Sequence, residues 1–252
     1  VKKLLLIAVL AALITSPARA SCGFSATFGT GSSDEIRTAS TTLGTTYSMS
    51  AWFWAHGAGG LSKGIIFDLG SNSGTTFAEV QFGGTTSLLQ VSSTWSTTSG
   101  VWNVTAPSLS AWHNVVVTYD GSSTSNVPNI YIDGSALSVT TSAAPSGSLT
   151  ANANVIHVGS NAGSGTFDGK LAEVAFWNST VLTANEAKAL AQGTSPLRVR
   201  YSALTHYVPC YLYATGSDYD WGSTHAALTW LGTPKQQPHP AIELYPQQPT
   251  GD

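Results

Sequence analysis

The sequence predicts an all-β sandwich or barrel finished by one short helix, and three observations predict it. Between Ser21 and Gly169, short apolar-rich runs bounded by Gly, Ser, Asn and Pro recur at spacings of about 8–12 residues. Within those runs apolar and polar residues alternate with the period of a strand, and helical periodicity is almost absent. A single capped helical signal follows at residues 183–193.

Taken in order, residues 1–20 carry Lys2 and Lys3, an apolar run from Leu4 to Ile14, and the small-x-small triplet Ala18-Arg19-Ala20. That is the layout of a secretory signal peptide. The apolar run is too short for a permanent bilayer helix, which needs roughly 20 residues. The expected product is a secreted, periplasmic or cell-surface protein with no membrane span, starting near Ser21. Hydrophobic residues make up 42 % of the chain, enough for a core, and charged residues only 9 %. Net charge is -3, so there is no basic footprint for a phosphate backbone, and nucleic acid is excluded as an expected partner.

The strand "YSMSAWFWAHG" sets Tyr47, Met49, Ala51 and Phe53 against Ser48, Ser50, Trp52 and Trp54. "GIIFDLG", "FAEVQFG", "SLLQVSS" and "VWNVTAP" are further strands. "HNVVVTYDG" and "NIYIDGSALSV" each carry an Asp-Gly pair, expected to supply the positive-φ positions of turns: Asp120-Gly121 before a longer loop, Asp133-Gly134 in a tight hairpin. In "TANEAKALAQG", Thr183 and Glu186 have the spacing of a capping box, while Gly193 and Pro196 close the helix. From about Gly232 the chain is rich in proline and glutamine and reads as an extended tail.

The segments "YSMSAWFWA", "AWHNVVVTYDG", "NIYIDG", "ANVIHVGS", "FDGKLAEVAFWNSTVLTANEAKAL" and "SPLRVRYSAL", in this order, resemble the laminin-G-like and pentraxin group of concanavalin-A-like jelly rolls. The resemblance covers roughly residues 24–200. It implies two antiparallel sheets in a jelly roll, with rim loops able to take calcium or sugar. The resulting division is a signal peptide at 1–20, a jelly-roll domain at 21–200, an extension packing on it at 201–234, and a tail at 235–252. Cys22 and Cys210, an even pair in an oxidising compartment, are expected to form a disulfide. The resemblance implies that the extension packs back on the sandwich, which fits that bond. Free thiols and lipid modification of Cys22 are the alternatives; against the lipid, Arg19 stands where a lipoprotein signal usually carries an aliphatic residue.

For catalysis, a retaining glycosidase needs two carboxylates about 5–5.5 Å apart. Only Asp218 and Asp220 come near that pattern, outside the matching region and in a turn-like stretch. "GLSKG" has the spacing of a nucleophile elbow around Ser62, but a strand follows where the elbow needs a helix. No catalytic residue is therefore expected. The six histidines show no metal-ligand pairing. The loop "GSNAGSGTFDG" has Asp168 as its one acid, which departs from the acidic pentraxin loop. One weak calcium site remains open where Asp34, Glu35 and Asp168 could meet at a rim, with solvated loop carboxylates as the alternative. For a sugar platform the candidates are Trp54 and His56, on the strand face opposite Phe53, and Trp95 and Trp102 in hydroxyl-rich neighbourhoods. The expected function is a non-catalytic module binding a glycan or a surface protein. A structural or adhesion module and a glycoside hydrolase are the second and third readings.

Overall fold

The computed structural model describes residues 23–26, 34–71, 76–149, 152–210, 219–232 and 235–237. The signal segment 1–20, Cys22, Asp218 and the tail beyond residue 237 lie outside them. The first strands are β1 (Gly23–Ala26), β2 (Glu35–Arg37), β3 (Thr41–Leu43), β4 (Thr46–Ala55), β5 (Ile65–Gly70) and β6 (Thr76–Phe82). There follow β7 (Leu88–Ser93), β8 (Gly100–Thr105), β9 (Trp112–Asp120), β10 (Asn129–Ile132), β11 (Ser135–Ala136) and β12 (Thr140–Ala143). The last are β13 (Asn152–Val158), β14 (Gly169–Asn178), β15 (Leu204–Val208), β16 (Thr229–Leu231) and β17 (Lys235–Gln237), with one helix, α1 (Ala184–Ala191).

They form two antiparallel sheets. The first runs β11-β10-β9-β4-β14-β1-β17, with β15 also on β14; the second runs β12-β8-β7-β6-β5-β13-β2-β16, with β3 also on β13. Strand alternation decides what lies between them. Met49, Ala51 and Phe53 of β4 meet Phe67 and Leu69 of β5 and Ile156 and Val158 of β13 in one buried core. Trp52 and Trp54 take the opposite face, as their alternation predicts.

Helix α1 starts as its sequence predicts. Glu186 N donates to Thr183 Oγ1 at 3.3 Å and Thr183 N to Glu186 Oε2 at 2.7 Å, a complete capping box. Its Ala187 and Leu190 cover a second apolar cluster on the outside of the first sheet, with Trp177, Val116, Leu204 and Tyr207. The sandwich is therefore three layers deep on that side.

The two Asp-Gly pairs part company. Asp133 (φ 51°) and Gly134 (φ 77°) are both left-handed and close the β10–β11 hairpin. Asp120-Gly121 uses no positive φ. Asp120 instead turns the chain with its side chain, accepting from Ser122 N at 3.0 Å. The extension returns to both sheets, β15 pairing with β14 and β16 with β2. Residues 235–237, assigned to the tail by composition, are a strand beside β1.

Candidate ligand-binding site

On the outer face of the second sheet, register brings polar residues into rows. Arg37 lies opposite His157, His157 opposite Asp68, Asp68 opposite Glu79, and Glu79 opposite Ser92. Two residues along, a second row links side chain to side chain. Gln81 Nε2 donates to Gln90 Oε1 at 2.9 Å, Gln90 Nε2 to Asn103 Oδ1 at 3.3 Å, and Asn103 Nδ2 to Ser142 Oγ at 2.6 Å.

The loop after β13 folds over the first row. Ser160 Oγ and Gly163 N donate to Glu35 Oε2 at 2.8 and 3.1 Å, and Asn161 Nδ2 to Thr76 Oγ1 at 2.8 Å. The 57–64 turn is tied to the same loop, because Gly60 N donates to Thr166 O at 2.7 Å and Ile65 N to Gly165 O at 3.0 Å. Between turn, loop and sheet lies an open groove of about 480 Å³ whose lining includes Lys63, Thr76, Glu79, Ser92, Asn161 and Ser164.

The acids under and beside this groove differ in state. Glu35 is buried, which by itself raises its pKa; donation from His157 (2.5 Å), Arg37 and Ser160 outweighs that and holds it at about 2. Asp68 is fully buried, and neither carboxylate oxygen accepts a hydrogen bond. Burial, with the charges of Glu79 and Glu35 added, pushes it up to about 8, and the nearby Thr76 hydroxyl opposes the rise. Glu79 is raised by burial too, and the Lys63 ammonium and Asn161 amide oppose the rise. The groove thus presents hydroxyls, an amide, one ammonium and one carboxyl whose pKa is raised by burial.

The residues expected from sequence fall elsewhere. Trp95 and Trp102 are core, 6 % and 1 % exposed. Trp102 takes an inward position of β8, between Gly100 and Val104, and its ring lies 5.0 Å from that of Tyr119. Neither ring can serve as a surface platform. Trp54 is half-buried in a cross-strand row on the first sheet, edge-on to Trp112 at 6.1 Å and under the Lys170 ammonium at 5.0 Å. His56 is 53 % exposed in its side chain and stands 3.5 Å from Asp168.

The rim cluster of Asp34, Glu35 and Asp168 is not assembled. Asp34 is buried against Gly232, Glu35 is enclosed by its donors, and Asp168 turns to His56 on the first-sheet side. Among the described residues no group of three His, Cys, Asp or Glu side chains gathers as a metal set. Ser62 sits in a left-handed turn (φ 56°) ahead of a strand, and Asp220 is fully buried against His206. Asp68, Glu79, Lys63 and Asn161 were missed. Their signal is an acid inside each of the runs "IIFDLG" and "FAEVQF", at a position opposite to the apolar ones.

Comparison with known proteins follows the same line. A family model described as the concanavalin A-like lectin/glucanases superfamily matches residues 29–188. No curated protein matches the chain. A heptameric SAP-like pentraxin from Limulus polyphemus is similar in structure, with a TM-score of 0.51 at 13 % identity, over 68 % of this chain and 80 % of that one. A candidate carbohydrate-binding protein from Bacteroides ovatus gives a TM-score of 0.58 at 17 % identity, over 88 % of this chain and 60 % of the other.

Proposed function

The chain belongs to the concanavalin A-like lectin/glucanases superfamily, and from that membership we propose that it is an exported, non-catalytic module that binds a neutral saccharide. The binding site is the groove on the second sheet. The observation that carries this reading is the lining itself. Thr76, Ser92, Asn161 and Ser164, with Glu79 and Lys63, surround about 480 Å³ and continue into the amide row of Gln81, Gln90 and Asn103. Amides and hydroxyls both donate and accept, as sugar hydroxyls do, and a pocket with few net charges selects a neutral ligand. The Bacteroides ovatus protein of similar fold is described as a candidate carbohydrate-binding protein, which supports this reading.

A binding role is favoured over hydrolysis by access. Retaining hydrolysis asks two carboxylates to reach one bond. Asp68 faces Glu79 across the strands but is fully buried, so Glu79 alone lines the groove.

A glycan array probed with the purified chain, followed by calorimetry on each hit, tests the proposal. Glu79→Gln and Asn161→Ala should each weaken binding about tenfold, the worth of one lost hydrogen bond to a buried ligand group. Their circular-dichroism melts should stay cooperative. Array silence, or hits whose affinity neither variant changes, would overturn the groove assignment. Release of reducing ends from a bound polysaccharide would replace it with hydrolysis.

A further inference from the structure

We propose a second saccharide-binding surface, on the C-terminal extension, in which Tyr219 and Trp221 form a stacking platform for the flat faces of a neutral polysaccharide. These residues lie beyond position 188, where the family match ends.

The case begins with an inverted burial pattern. Over three consecutive residues, Tyr219 is 47 % exposed, Asp220 is 0 % exposed and Trp221 is 38 % exposed. With the acid turned inward, the aromatic on each side of it is left exposed. Folding alone favours the opposite arrangement: it gains from burying an indole and loses by burying a carboxylate. Two large aromatics held out on one turn against that preference are the observation on which this proposal rests.

The acid is buried because it is fully used. Asp220 Oδ1 accepts from Tyr207 N at 2.7 Å and Gly222 N at 2.8 Å; Oδ2 accepts from Thr224 Oγ1 at 2.5 Å and pairs with His206 Nδ1. The backbone of the turn is fixed as well. Asp220 N donates to Ala226 O at 2.8 Å, Trp221 N to Tyr207 O at 2.8 Å and Ser223 N to Leu204 O at 2.9 Å. A side chain at Gly222 would put its Cβ 2.3 Å from Thr205 O, so the turn sits directly on β15. The two rings thus project from a rigid base, and a ligand meets them without ordering a loop first.

Ring geometry and charge name the ligand class. His225 stacks on Tyr219 with centroids 5.8 Å apart and planes 16° apart, which backs one face of the tyrosine, and Tyr219 is still 47 % exposed. Tyr219 and Trp221 flank the buried Asp220, so the turn presents two aromatic side chains and not one. Ser223 adds an exposed hydroxyl beside them. No lysine or arginine occurs between residues 201 and 234, so a stacked nucleic acid would find no partner for its phosphates. A neutral pyranose offers a C–H face to the rings and rim hydroxyls to the turn.

The probes are cellulose, chitin and starch granules for pull-down, and soluble mixed-linkage β-glucan for affinity electrophoresis, all with the full chain. The wild-type chain should be retained by at least one of them. Trp221→Ala and Tyr219→Ala should each weaken retention about tenfold, in the range of one aromatic contact. Trp221→Phe should recover part of the loss, which a merely structural residue would not require. Both alanine variants should melt like wild type, because Asp220 and not the rings holds the turn. Glu79→Gln should remove only the groove's share of retention, while Glu79→Gln combined with Trp221→Ala should lose both shares, which separates this surface from the groove. No retention of wild type on any probe overturns the proposal, as does wild-type retention by both alanine variants or loss that follows lowered melting in both. Loss in Glu79→Gln alone would leave the groove standing and remove the platform.

Discussion

Asp68 shows at the scale of one side chain what the sequence holds and what it withholds. Its alternation within "IIFDLG" predicts that it faces away from the inter-sheet core, and it does. That it is nevertheless fully buried depends on register and loop path, which no local pattern encodes. Trp95 and Trp102 fail in the other direction. Serine and threonine around a strand say that its ends are wet, not which face a tryptophan takes. The state of Asp68 leads to a measurable pH dependence. With a folded pKa of about 8, it keeps its proton where an unfolded aspartate has lost it. Its contribution to stability is complete in acid and declines as pH rises toward 8. Glu173, buried and likewise raised to about 8, acts on the same limb. Glu35, held at about 2, acts oppositely, and its contribution is lost as pH falls below the usual glutamate range toward 2. The melting temperature should therefore peak in mild acid. Asp68→Asn should raise stability at pH 8, on the order of 3 kcal/mol, and flatten part of the alkaline limb. Calorimetry across pH 4–9 checks this, and an unchanged pH 8 melt would show that Asp68 carries no such cost.

At the scale of elements, the helix was the most legible piece, because its start is chemically local. Thr183 and Glu186 find each other across three residues whatever the rest of the chain does. An eight-residue helix is still marginal alone, and its place is set by Leu190 and Ala187 against Trp177 and Tyr207. Thr183→Ala should cost about 1 kcal/mol and lower the melt. Saccharide binding should be untouched, since the helix covers the first sheet and the groove opens on the second. Equal loss of binding and stability in this variant would mean that the two faces are coupled. The Asp-Gly turns were half legible. At Asp133 the left-handed pair is real, and Asp133 Oδ1 also accepts from Asn114 N at 2.8 Å, while Oδ2 lies 2.7 Å from His113 Nδ1. At Asp120 the same dipeptide works through its side chain, a choice that depends on loop length and not on the two letters.

For the whole molecule, the order of short motifs was enough to specify the sandwich, because each motif fixes a strand and the order fixes the neighbours. The return of the extension to both sheets was expected only in outline. It places β1 and β15 end to end on one flank of β14, with Phe24 opposite Leu171 and Val208 opposite Val174. Both run antiparallel to β14, so β15 runs toward the start of β1. Cys210, two residues past Val208, is buried there. Cys22 lies one residue before Gly23, outside the described residues. The expected outcome is a Cys22–Cys210 disulfide in protein made in an oxidising compartment, contributing up to about 4–5 kcal/mol by loop-closure entropy. Non-reducing peptide mapping checks it. Two alkylatable thiols, or a lipid on Cys22, would remove the bond from the account.

The amide row across Gln81, Gln90, Asn103 and Ser142 has a consequence for how this protein changes over generations. Its members bond chiefly to one another on the outer face, so exchanging one disturbs its neighbours and leaves the interior unaltered. Selection can therefore redraw that surface letter by letter. Under the proposed saccharide role, this row is where a change of specificity would cost the fold least.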